Sequence, residues 1–152
     1  MSLSLQQLSD RVEIQDLLVR YTRAIDGKDW NLLDTCFTPD AHLDYKSSGG
    51  VAGHYPEVRA WLAKALALFP VTVHAISNSH IELDGDRATG RCYLDLRATR
   101  DGVSMMGSGY YEDVYVRTAD GWKFRSRKLN MRFFAPLLEG WAETPPHDRK
   151  ID

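Results

Sequence analysis

Two residues in this chain combine the side-chain types needed for proton transfer to and from carbon: Asp26 and His74. Asp26 stands at the predicted end of a long amphipathic segment, where the negative pole of a helix disfavours a carboxylate by about 0.3–1 kcal/mol. Either it or Asp29 caps the next helix, or it is held there for another purpose. His74 lies in the run Val71-Thr72-Val73-His74-Ala75-Ile76. Alternation puts Thr72, His74, Ile76 and Asn78 on one face of a strand. Alone, such a histidine reads as a satisfied core residue. Within reach of a carboxylate that accepts its Nδ1 proton, its tautomer is fixed and Nε2 becomes a base.

Other polar groups converge on the same interior if the periodicities hold. In the last β-rich run Trp122, Phe124, Ser126, Lys128, Asn130 and Arg132 share a face. If Trp122 and Phe124 face the core, then by period 2 Asn130 and Arg132 do as well, unless a bulge intervenes. In that case Arg132 turns outward or pairs across a subunit interface. Tyr21 belongs to the core stripe of the first helix, and its buried phenol needs a partner. It lies about 140° around a regular helix from Asp26, so joint action is permitted rather than implied.

The elements that must position these groups follow from periodicity. Leu8, Val12, Leu17, Leu18, Tyr21, Ala24 and Ile25 recur at helical spacing behind a Ser4/Gln7 capping box, predicting a helix over residues 5–26 that stops at Gly27. A short helix is expected over residues 29–37, with Trp30, Leu33 and Phe37 on one side, and a strand over residues 41–45. A third helix starts at Pro56 and ends before Pro70. Ser47-Ser48-Gly49-Gly50 between them reads as a lid or a plain loop. Four long β-rich runs follow over residues 71–83, 87–97, 103–117 and 122–134. They are separated by Asp84-Gly85-Asp86, Asp101-Gly102 and Asp120-Gly121, each a hairpin signal. The predicted fold is α+β in the order α-α-β-α-β-β-β-β: three helices covered by a curved, mostly antiparallel sheet, open at one end.

The 152 residues suit one domain, residues 1–152, with a loose tail from about residue 143. Net charge is −2 with interspersed signs, which excludes an electrostatic footprint for nucleic acid. The richest basic stretch, residues 123–128, reads as a strand with one wet face. Cys36 and Cys92 have no metal-binding or disulfide spacing. With no signal-peptide pattern and no apolar run of about 18 residues, no membrane is expected as a partner and the cytoplasm is the expected location.

The words Ile14-Gln15-Asp16-Leu17, Ala24-Ile25-Asp26, Val73-His74-Ala75-Ile76-Ser77-Asn78, Trp122-Lys123-Phe124, Lys128-Leu129-Asn130 and Phe134-Ala135-Pro136-Leu137 resemble the SnoaL-like branch of the nuclear-transport-factor-2 superfamily. Within it the chain is most similar to scytalone dehydratase, bile-acid 7α-dehydratase and hexachlorocyclohexane dehydrochlorinase. The resemblance implies a cone fold and an Asp–His dyad, with His74 as general base and Asp26 as its orienting carboxylate. It makes Tyr21 and Tyr45 candidate acids and Arg132 the candidate late-strand arginine. Ile25 and the lack of a second active-site histidine depart from the pigment enzyme, which counts against scytalone as substrate.

The expected activity is that of a lyase without metal or other cofactor, eliminating water or a halide from a small cyclic substrate. Arg132 or Asn130 would stabilise charge developing on a carbonyl oxygen, and Trp30, Phe69, Met105 and Phe133 would line an apolar pocket. An isomerase or polyketide-cyclase-like enzyme with the same dyad, and a non-catalytic ligand-binding or oxygenase-subunit-like module, are the rival expectations. Homo-oligomers, trimers above all, are implied by the resemblance.

Overall fold

The computed structural model describes residues 2–138. The proposed loose tail from residue 143 lies outside the described residues.

Helix α1 (Leu5–Gly27) opens on the expected capping box: Ser4 Oγ accepts from the Gln7 amide, and Gln7 Oε1 accepts from the Ser4 amide. Its end differs from expectation by one residue. Gly27 stays helical and Lys28 takes the left-handed conformation, at φ 51°, with its amide bonded back to Ile25. Helix α2 is only Trp30–Asp34, and its cap is Asp29, whose Oδ1 accepts from the Leu32 amide. That assignment leaves Asp26 free.

Strand β1 (Phe37–Asp44) begins earlier than its sequence pattern suggests and pairs with a short β2 (Ala52–His54) that the pattern did not reveal. Helix α3 (Tyr55–Leu66) carries Pro56 in its first turn. Strands β3 (Thr72–Asp84), β4 (Arg87–Arg100), β5 (Val103–Thr118) and β6 (Gly121–Pro136) form an antiparallel meander. The turns between them place Gly85, Asp101, Gly102 and Gly121 at positive φ, as the Asp-Gly signals require.

The sheet order is β2-β1-β6-β5-β4-β3, with β1 and β6 parallel, so the curved sheet is mixed and mostly antiparallel. Its concave face packs on α1, where Ile14, Leu17, Tyr21, Ala24 and Ile25 are buried against Phe37, Tyr111, Tyr115, Trp122 and Phe124. The cone is closed at that end by aromatic rings: Phe37 stacks on Tyr55 at 4.6 Å, and Tyr21 meets Phe124 edge-on at 5.9 Å.

Two bulges in β6 govern which of its side chains reach the interior. Opposite Val114 and Tyr115 the partner residues are Ser126 and Phe124, leaving Arg125 extra. Opposite Ser108 and Gly109 they are Phe133 and Met131, leaving Arg132 extra. Each extra residue inverts the alternation beyond it.

Candidate active site

Asp26 sits in the last turn of α1, pointing at the first residues of β3. There its carboxylate accepts three hydrogen bonds. Oδ1 faces His74 Nδ1 at 2.6 Å and accepts from Thr72 Oγ1 at 2.9 Å, while Oδ2 accepts from the His74 amide at 2.9 Å. Thr72 and His74 share the inward face of β3, as their spacing of two predicts. Burial alone would raise the Asp26 pKa. The His74 ring and amide and the Thr72 hydroxyl outweigh it and hold the carboxyl below its ordinary value. An ionised Asp26 accepts, so Nδ1 carries a proton, and in the neutral form of the ring the free lone pair is on Nε2. The His74 side chain is 9% exposed and lines the cavity, with Asp26 behind it.

That cavity, of about 680 Å³, is the open hollow of the cone. Tyr21 and Tyr45 line its inner part, with their hydroxyl oxygens 3.0 Å apart. Tyr111 lines it beside them, its ring edge-on to that of Tyr21 at 6.0 Å. Burial pushes all three phenols up, so each keeps its proton at neutral pH. Phe69 and Met105 line the cavity as expected.

Four expected positions are corrected. The first bulge, at Arg125, turns Asn130 to the outer face, where Nδ2 donates to Glu112 Oε2 at 3.1 Å. Arg132 is the extra residue of the second bulge and lies exposed, its guanidinium 5.3 Å from the Tyr110 ring. Phe133 is 49% exposed, and Phe134 lines the cavity instead. Trp30 packs partly buried against the core under Arg59, away from the cavity lining.

The inward arginine is Arg127, which the pattern had assigned to a wet face. It is wholly buried, with its guanidinium carbon 3.7 Å from the Tyr111 ring and 4.1 Å from the Tyr21 ring. Its Nε lies 3.2 Å from Oδ1 of the equally buried Asp113, whose other oxygen accepts from Tyr115. Burial pushes the Asp113 carboxyl up to about 6, although the Arg127 charge acts in the opposite direction. At neutral pH the pair is ionised, and a fixed positive charge lies behind the cavity tyrosines. Arg127 stands directly before Lys128, a pair of adjacent cations that one wet face of an alternating strand cannot hold together; that was the available signal, and the bulge hid its meaning.

The Ser47-Ser48-Gly49-Gly50 stretch is docked rather than loose: Ser47 Oγ donates to the Leu129 carbonyl and accepts from the Met131 amide. Among the described residues no three His, Cys, Asp or Glu side chains converge as a metal site.

A cone of three helices in a curved six-stranded sheet, with this hollow at its open end, is the nuclear-transport-factor-2-like architecture. More narrowly, the chain belongs to the SnoaL-like domain family, which it matches over residues 6–128. It is 42% identical over 139 residues to the uncharacterized protein Rv2910c of Mycobacterium tuberculosis, covering 90% of this chain and 94% of that one. Its fold is similar to that of a hexachlorocyclohexane dehydrochlorinase, LinA type 2, with TM-score 0.83 and 24% identity over 94% of this chain and 98% of the other. A scytalone-dehydratase-like protein of Novosphingobium aromaticivorans superposes with TM-score 0.73 and 20% identity, over 86% and 89%. Solved structures of this fold thus include lyase-type enzymes.

Proposed function

We propose that the protein is a lyase that eliminates water, or a halide, from a small cyclic substrate without a metal. The observation that carries this reading is the His74 ring, fixed by Asp26 at 2.6 Å and presented to an apolar cavity. His74 Nε2 removes a proton from substrate carbon, and Asp26 stabilises the imidazolium that forms. The electron pair of that C–H bond becomes the new double bond as the β-substituent leaves.

Tyr21 or Tyr45, both of which line the cavity, protonates the departing oxygen. Of two phenols 3.0 Å apart only one can donate to the other, so one O–H remains for substrate or for Tyr111. Arg127 favours charge developing on the tyrosine side through the two rings it touches. A packing role for His74 is disfavoured, since a purely structural histidine does not require a charged partner and an open hollow on its other side.

The test is a panel of β-hydroxy carbonyl and chlorinated cyclic compounds, assayed for elimination product with wild type, His74→Ala and Asp26→Asn. Loss of about 100- to 10,000-fold in kcat is expected in each variant. Unchanged turnover in both ends the reading. A rearranged product that keeps its substituent would assign the dyad to isomerisation.

A further inference from the structure

The cavity lining is asymmetric in charge. Its inner part is tyrosine and hydrocarbon, and no Asp or Glu lines it anywhere among the described residues. Apart from His74, the ionisable cations of the lining are Lys64, in the last turn of α3, and Arg100, at the end of β4. Both are exposed, as are Ser48, Gly49 and Leu68, so they belong to the rim rather than the interior.

Neither cation is committed to a strong partner. No ion pair engages Lys64 among the described residues. Arg100 has Asp101 3.5 Å away, a pair in which the side chains are 47% and 88% exposed and which therefore contributes little. The Arg100 guanidinium instead lies 5.7 Å from the Phe69 ring, which in turn meets the Phe134 ring at 6.0 Å. The two cations thus border an aromatic wall that leads inward.

From this arrangement we infer that the rim is a carboxylate subsite, and that the substrate is a ring compound bearing a carboxylic acid. The inference rests on the proposed use of the cavity for a cyclic substrate and deepens it by naming the substrate's charge. A carboxylate could not enter the apolar interior without a large desolvation cost, and the Arg127 charge behind the tyrosines is walled off by their rings. At the mouth it remains partly hydrated between Lys64 and Arg100. The ring then points inward, toward His74 and the tyrosines. In a chain of net charge −2, one cation without an ion pair and one held only by an exposed, weak pair at a cavity mouth also draw anions to that opening.

The probes are 3-(2-naphthyl)propanoate and its neutral amide, titrated by calorimetry into wild type, His74→Ala and Lys64→Gln/Arg100→Gln. Wild type is expected to bind the acid at least about tenfold more tightly than the amide at low salt, the preference shrinking in about 0.5 M NaCl. The double variant should bring the acid down to the affinity of the amide, whereas His74→Ala should keep the preference. Equal affinity in wild type, a preference that survives in the double variant, or no binding of either probe at millimolar concentration overturns the inference. Because binding is read without turnover, failure of the elimination assay and failure of this subsite give different results.

Discussion

Both carboxylate oxygens of Asp26 are engaged by the first residues of β3, and this distinguishes it from a carboxylate that happens to lie near a histidine. The two hydrogen bonds from His74 come from its ring and its own backbone, so residue and side-chain orientation are fixed together. Arg127 shows the opposite situation at the same scale. Its Nε and Nη1 make no hydrogen bond of good geometry, and three aromatic faces surround it. Its ion pair with Asp113 is wholly buried, and removing one member strands the other. Arg127→Met is therefore expected to destabilise the fold by about 3–5 kcal/mol in urea titration. Arg127→Met/Asp113→Leu should recover most of that loss, and a double variant no more stable than the single would contradict this account. Of the candidate site, His74 and Tyr21 were legible from strand alternation and helix phase and Asp26 from its unfavourable place at a helix end, whereas Tyr45 was reached only through the family resemblance. Arg127 was not, because its orientation depends on a bulge two residues earlier.

At the scale of elements, the bulges of β6 are what join a flat pattern to a closed cone. Nothing in Arg125 or Arg132 marks them as extra residues; the signal is in the facing strand. An added Cβ on Gly109 would lie 2.5 Å from the Asn130 carbonyl oxygen and 2.9 Å from the Met131 Cα. Both are backbone atoms, so β6 would have to move. Gly109→Ala is expected to cost about 1–3 kcal/mol and to shift Met131 and Phe134, which line the cavity. Thermal unfolding checks the first effect; an unchanged midpoint would show that β6 yields freely. The hairpins were legible for the converse reason, since Asp-Gly dipeptides state the turn geometry in two residues. The irregularity of β3 between Ser77 and His80, and the short strand β2, had no such local statement.

For the whole molecule, helix count, order and the β-meander were all readable because period and turn chemistry agree along the chain. What ties the far ends together is less visible. Asp10 near the start of α1 accepts two bonds from Arg117 of β5, at 2.7 and 2.8 Å, and one from the Trp122 indole at 3.2 Å. Arg117 chiefly holds the Asp10 pKa at about 2, against 3.8 for an ordinary carboxyl. As pH falls the unfolded chain takes up this proton first. The stabilisation is thus present above pH about 4 and lost between about 4 and about 2. Asp10→Asn should lower stability at pH 7 and flatten that acid limb, as denaturation at several pH values would reveal; parallel profiles for the two proteins would refute it. The sheet order leaves β3 as a terminal strand. A strand in that position exposes amides that can recruit a foreign strand. At His74 the outward-facing amide is already occupied by the carboxylate of Asp26. The carboxylate that holds the His74 ring therefore also blunts the sheet's border, and under the proposed function replacing it would loosen solubility and chemistry in a single step.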